Sequence, residues 1–102
     1  MNEQNKVIIC GRLGKDPVLK YTVKQEAVCS FTIAENVEGE DKANWHQVVA
    51  WGKQAEQCHV HLRIGHFVFV QGRNKEHQYS TKDGLSKTSV ELTAFKVGLS
   101  LT

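Results

Sequence analysis

Proline is almost absent from this chain, long apolar runs are missing and neither sign of charge predominates, and each shortage narrows what the protein can be. The one proline, Pro17, cannot donate to a β-ladder and suits a turn better than a strand interior. The longest apolar runs, such as Val7 to Cys10 and Phe67 to Val70, fall far short of the length that crosses a bilayer. No membrane span is expected, and a soluble protein is. The opening residues Met1-Asn2-Glu3-Gln4-Asn5 lack the basic patch, apolar stretch and small-residue cleavage site of a secretory signal, so a cytoplasmic location is expected. Cysteines are few and odd in number. Cys10, Cys29 and Cys58 share no repeated spacing, and Cys10 and Cys29 fall in apolar strand patterns where a thiol serves as a small hydrophobe, so disulfides are not expected. Internal repeats, linkers and low-complexity tracts are also lacking.

What is present is an ordinary globular balance. In 102 residues, 40% are hydrophobic and 24% charged, which leaves room for one domain over residues 1–102 with one core. A net charge of +2 is too small to identify a nucleic-acid partner, but the charges are unevenly placed. Lys6, Arg12, Lys15, Lys20 and Lys24 stand against Asp16 alone. A second basic stretch holds Lys53, Arg63, Arg73, Lys75, Lys82 and Lys87 against Glu56, Glu76 and Asp83. Between the two lie Glu35, Glu38, Glu40 and Asp41. Charge alone reads as solvated loops.

Period-two alternation recurs along the chain and predicts five strands. The first runs from about Lys6 to Gly14, turns at Asp16-Pro17 and continues as a short extension, Val18 to Thr22. The second alternates Ala27, Cys29, Phe31 and Ile33 with Ser30 and Thr32, and Gly39 then turns the chain. The third, Asn44 to Trp51, sets Trp45, Gln47, Val49 and Trp51 on one face and His46, Val48 and Ala50 on the other, so both faces look covered. From Lys53 to Ile64 the period changes. Ala55, Cys58 and Leu62 form an apolar stripe on a helix that Gly65 can close. His66 to Gly72 is the fourth strand, and Thr88 to Val97 the fifth, with Val90, Leu92 and Ala94 facing inward. The loop between them carries the hairpin turn signal Lys82-Asp83-Gly84. Five strands with one short helix between the third and fourth describe an all-β barrel in the order of an OB-fold.

Aromatic rings near positive charge are the chemically informative feature, because unpaired nucleotides offer a flat base for stacking and a phosphate for neutralisation. Trp45 and Trp51 share a strand face, and each alone reads as a core tryptophan. Tyr79 is placed at the tip of the fourth-to-fifth-strand loop among Arg73, Lys75, Lys82 and Lys87. Its neighbours His77, Gln78, Ser80 and Thr81 give it nothing apolar to bury against, which points to a ligand. Arg12, Lys15, Arg73, Lys75 and Lys82 are the candidate phosphate contacts, chosen by their place around the aromatic face.

Several segments, in shared order and spacing, resemble the bacterial single-stranded DNA-binding protein family. They are Asn5-Lys6-Val7-Ile8, Gly11 through Pro17, Phe31-Thr32-Ile33-Ala34, the block Trp45 to Glu56, Val68 through Arg73, and Lys82-Asp83-Gly84. The resemblance covers nearly the whole chain. It implies an OB-fold that binds single-stranded DNA without strong sequence preference and without catalysis or cofactor, serving DNA replication, repair and recombination. It implies that Trp45, Trp51 and Tyr79 occupy stacking positions, with Tyr79 replacing a frequent tryptophan, and that His46 lies near a subunit contact. One barrel per chain implies a homotetramer.

Three departures bear on that transfer. The loop around Val37 and Glu38 lacks an aromatic found in some relatives. Gln47 stands where a basic residue is common. The chain stops at Gly98-Leu99-Ser100-Leu101-Thr102, without the Gly- and Pro-rich tail and acidic tip through which family members recruit replication and repair enzymes, so such recruitment is expected to take another route or a tail not included here. A tailless dimeric OB-fold of the PriB type, a primosomal replication protein, is the alternative, and solution mass separates two chains from four. A metal site built on Cys58, His59 and His61 is a third possibility. Helical spacing sets Cys58 and His61 on one face, but His59 points elsewhere and no second ligand pair follows, so no metal is expected. No nucleophile with its base and no Gly-rich phosphate loop stands out either.

Overall fold

The computed structural model describes residues 6–36, 39 and 43–100. The acidic loop from Val37 to Lys42, Gly39 apart, lies outside the described residues, as do the first five residues and the last two. In chain order the elements are β1 (Lys6–Leu13), β2 (Val18–Tyr21), β3 (Ala27–Asn36), β4 (Ala43–Trp51), α1 (Lys53–His61), β5 (Phe67–Ser80) and β6 (Ser86–Leu99).

The strands form one sheet in the order β1-β5-β6-β4-β3-β2, and β1 also meets β3 where Arg12 faces Ala34 and Leu13 faces Ile33. That last pairing makes the sheet ring-like. Five strands follow one another around the core, while β2, the expected extension, is a strand of its own lying along β3. All pairings are antiparallel except the parallel one between β4 and β6. With α1 between the third and fourth ring strands, the order is that of the OB-fold.

Alternation places the core. Ile9 and Leu13, then Cys29, Phe31 and Ile33, Val48 and Ala50, Val68 and Val70, and Leu92 and Ala94 are the inward positions of successive ring strands. Each fully buried branched or aromatic side chain among them contributes about 1.5–3 kcal/mol relative to an exposed one. Ala55 and Cys58 of α1 and the following Leu62 are buried with them. Cys10, expected to act as a small hydrophobe, instead has outward parity on β1 and is exposed. All three cysteines are free.

The helix is shorter than its apolar stripe suggests. Leu62 leaves helical geometry at φ −98° and ψ 144° while its N–H still bonds to the Cys58 carbonyl at 3.0 Å. The donors that would extend α1 have other partners. The Arg63 N–H donates to His66 Nδ1, the Ile64 N–H to Asp16 Oδ1 at 2.7 Å, and the Gly65 N–H to the Leu13 carbonyl. Gly65 therefore turns the chain into β5 and does not cap the helix.

The largest departure from expectation is the β5–β6 hairpin. The fourth strand does not stop at Gly72 but runs to Ser80, and the fifth begins at Ser86, with pairing unbroken from Arg73 opposite Thr93 to Ser80 opposite Ser86. Only 81–85 turn, closed by Thr81 N–H to Leu85 carbonyl and Gly84 N–H to Thr81 carbonyl bonds. Val90 keeps the inward parity of Leu92 and Ala94, yet it is exposed, because the paired strands at Val90 and Glu76 extend past the buried part of the sheet.

Candidate nucleic-acid interface

Directly paired strand residues project from the same side of a sheet, so the register identifies which side chains share a surface. On β4, Trp45, Gln47, Val49 and Trp51 alternate with the core residues Val48 and Ala50. Gln47 and Val49 neighbour Glu91 and Thr93 of β6, which pair with Lys75 and Arg73 of β5. The same side continues up the hairpin through His77 opposite Ser89 to Tyr79 opposite Lys87. In the other direction Trp45 neighbours Ala34, and Ala34 neighbours Arg12. One outward surface thus gathers Trp45, Trp51, Tyr79, Arg12, Arg73 and Lys75.

The rings on this surface are open to solvent. Trp45 is 62% exposed, Trp51 44% and Tyr79 50%, so the third strand is not covered on both faces as expected. Tyr79 sits near the end of a strand and not at a loop tip, which gives its ring a fixed side of the sheet. Trp45 lies against Gly14 in the β1–β2 turn, where an added Cβ would strike Cζ3 of the indole. Tyr21 is a further exposed aromatic, but its hydroxyl donates to Glu56 Oε2 at 2.9 Å. That hydrogen bond, with some desolvation and the Glu56 charge, raises its pKa.

The cations differ in their freedom. Lys15 lines a shallow groove with Ser30, Thr32 and Gln47, beside the tryptophan strand. Lys82 is exposed in the 81–85 turn. Arg12 is engaged by the protein itself, since its Nη1 donates to the Gly65 carbonyl at 3.0 Å and its guanidinium lies 5.5 Å from the Phe67 ring centroid. Among the described residues the basic side chains in contact with a carboxylate are both histidines, His46 with Glu35 and His77 with Glu91. No described lysine or arginine is held by a carboxylate, so these charges are available to an outside anion.

Two residues of this surface escape the sequence reading. Glu91 sits among the cations with its carboxylate 2.9 Å from His77 Nε2. Phe95 is 51% exposed with the Arg73 guanidinium 5.4 Å from its ring centroid. The three candidate metal ligands are not brought together: Cys58 is buried, His61 Nε2 bonds Gln57 Oε1 at 3.0 Å, and His59 is exposed.

A model of the single-strand binding protein family matches residues 4–100. The chain belongs to that family. Among relatives, the single-stranded DNA-binding protein of Neisseria meningitidis serogroup B is 35% identical over 97 residues, covering 88% of this chain and 56% of the relative. Single-stranded DNA-binding protein 3 of Clostridium acetobutylicum is 40% identical over 98 residues, covering 91% of this chain and 68% of the relative. The chain therefore spans little more than half the length of the Neisseria relative. Family membership agrees with the OB-fold order of strands and helix, and the family consists of binding proteins and not enzymes. Among the described residues no helix is long and apolar enough to cross a membrane.

Proposed function

We propose that this chain binds single-stranded DNA without strong sequence preference, stacking bases on Trp45, Trp51 and Tyr79 and neutralising phosphates with Lys15, Arg73, Lys75, Lys82 and, less freely, Arg12. The observation that carries the reading is the outward surface that open aromatic rings share with cations that have no carboxylate partner. Each stacked base contributes about 1–3 kcal/mol irrespective of its identity. Each neutralised phosphate releases counterions, so affinity falls as salt rises. That relatives of this chain are single-stranded DNA-binding proteins supports the same ligand. Protection of unpaired DNA during replication, repair and recombination in the nucleoid-containing cytoplasm, and contact with the proteins that carry out those processes, belong to the same proposal.

Self-association as a homotetramer is part of this reading. Residues Lys6 to Gly11 of β1 pair with β5 along one edge and have no described strand on the other. Exposed Ile8 lies nearby on the outward face, as do Cys10 and its pair Phe69. His46, bound to Glu35 at 3.0 Å, is proposed to lie near the subunit contact. Solution mass measures the number of chains, four being expected and two overturning the assignment.

Titration of intrinsic tryptophan fluorescence tests the DNA reading. Oligo-dT is expected to quench it to saturation, more weakly at higher salt, while duplex DNA of equal length leaves it nearly unchanged. Equal responses to both, or none to either, overturn the proposal.

A further inference from the structure

Phe95 occupies an unusual place in β6. Gln71 pairs with Lys96 and Gly72 with Ala94, so the register shifts and Phe95 is left without a partner on β5. Such bulges re-aim the side chain of the extra residue. The irregularity depends on Gly72, because a Cβ there would collide with the Thr93 carbonyl oxygen of the facing strand. From the helix side, the Gln54 side-chain amide donates to the Phe95 carbonyl at 2.9 Å and fixes the bulged backbone. The ring so placed is half exposed and is not one of the core residues.

What the ring holds is Arg73. The guanidinium lies 5.4 Å from the ring centroid, inside the distance at which a cation is attracted to an aromatic face. Among the described residues Arg73 has no ion pair and its side chain has no hydrogen-bond partner. Arg12 over Phe67 is the contrasting case, for that guanidinium also donates to the Gly65 carbonyl. Phe95, Arg73, Asn74, Lys75 and Thr93 line one open groove on the surface that carries Trp51 and Tyr79.

We propose that Phe95 is a positioning residue for Arg73. Its ring holds the planar guanidinium in place while leaving the N–H donors free, so that a phosphate of the bound strand entering the groove meets a cation already ordered. A flexible arginine would lose that freedom only on binding, and ordering it beforehand strengthens the complex. The inference rests on the single-stranded DNA reading and adds to it a residue that does not itself stack on a base.

A double-mutant cycle with oligo-dT, read by tryptophan quenching, tests this. Phe95→Leu is expected to weaken binding about two- to fivefold, the worth of an exposed cation–π contact. Phe95→Tyr is expected to retain parent affinity. In an Arg73→Ala background, Phe95→Leu is expected to change nothing further. Thermal unfolding checks that each variant is folded, and Phe95→Met provides a second removal of the ring should the leucine variant prove unstable. The proposal is overturned if ring removal leaves the affinity of the parent unchanged, or weakens binding equally whether or not Arg73 is present, since equal losses would mean that Phe95 acts without the arginine. Both outcomes leave the DNA reading standing. Failure of the folded parent to bind oligo-dT would remove that reading and this one together.

Discussion

The six-membered edge of the Trp45 indole rests on Gly14, so close that a Cβ built on the glycine would lie 2.7 Å from Cη2 and nearer still to Cζ3. A turn residue in the β1–β2 connection therefore decides where an exposed ring on β4 can lie. Gly14→Ala forces the indole off this seat. Because the ring is at the surface, it can swing outward without opening the core, and unfolding temperature is expected to change little. Affinity for oligo-dT is expected to fall about three- to tenfold, a part of the roughly 1–3 kcal/mol available from one stacked base. Titration of the variant beside the parent reads this, and unchanged affinity would show that the seat of Trp45 is not used in binding.

Tyr79 tests the hairpin. Paired with Lys87 near the end of β5, it is half exposed and belongs to no core cluster. Tyr79→Ala is therefore expected to leave stability nearly intact while weakening oligo-dT binding by about 1–3 kcal/mol. Tyr79→Phe keeps the stacking face and should bind close to the parent. Retention of full affinity by the alanine variant would remove the hairpin from the DNA path.

The sequence made the closed part of the sheet legible because one side of each ring strand is buried, and burial writes a period of two. Ile9 and Leu13, Cys29 to Ile33, and Val68 and Val70 carry that signal directly. The outer half of the β5–β6 hairpin carries none. Residues Arg73 to Ser80 are all exposed and polar but for Tyr79, and only the backbone ladder to β6 makes them a strand. The openness of Trp45 and Trp51 was hidden for a different reason: Val49 between them, on the same face, is 8% exposed, so alternation cannot separate a covered position from an open one. Phe95 was invisible because an extra residue between Ala94 and Lys96 changes which side the following side chains take. Gly72 was the one trace of that event, and a glycine in a strand interior does not announce what approaches it.

Glu91 supplies a test of electrostatics with no aromatic involved. It pairs across the hairpin with Lys75, neighbours Gln47 on β4 and bonds His77 at 2.9 Å. A carboxylate on this surface opposes the approach of phosphates. Glu91→Gln keeps an oxygen to accept from His77 and removes the charge. Oligo-dT binding is expected to tighten about two- to fivefold at low salt, with the gain shrinking as salt screens the charge. Titrations at several salt concentrations measure it. Weaker binding at every salt would mean that Glu91 orders the site through His77 more than it repels the ligand.

The buried thiols give the protein a predicted weakness to alkali. Burial pushes the Cys58 thiol up to about 12 from an ordinary 9.0, helped by the neighbouring Cys29, and burial also raises Cys29. Below the unfolded value both states keep the Cys58 proton, and its contribution to stability is fully present. As pH rises from about 9 toward 12 the unfolded chain releases that proton while the folded chain retains it, so stability falls by at most about 1.4 kcal/mol per pH unit from this group. Lysines and tyrosines also titrate there, so the comparison is with Cys58→Ala, whose unfolding midpoint is expected to drop less between about pH 9 and pH 11. The same burial predicts which thiols stay protected in the native protein: Cys29 and Cys58 should be modified only in denaturant. Equal alkaline losses in parent and variant, or ready labelling of Cys58 in the folded state, would show that the core between β3 and α1 opens far more easily than its burial implies.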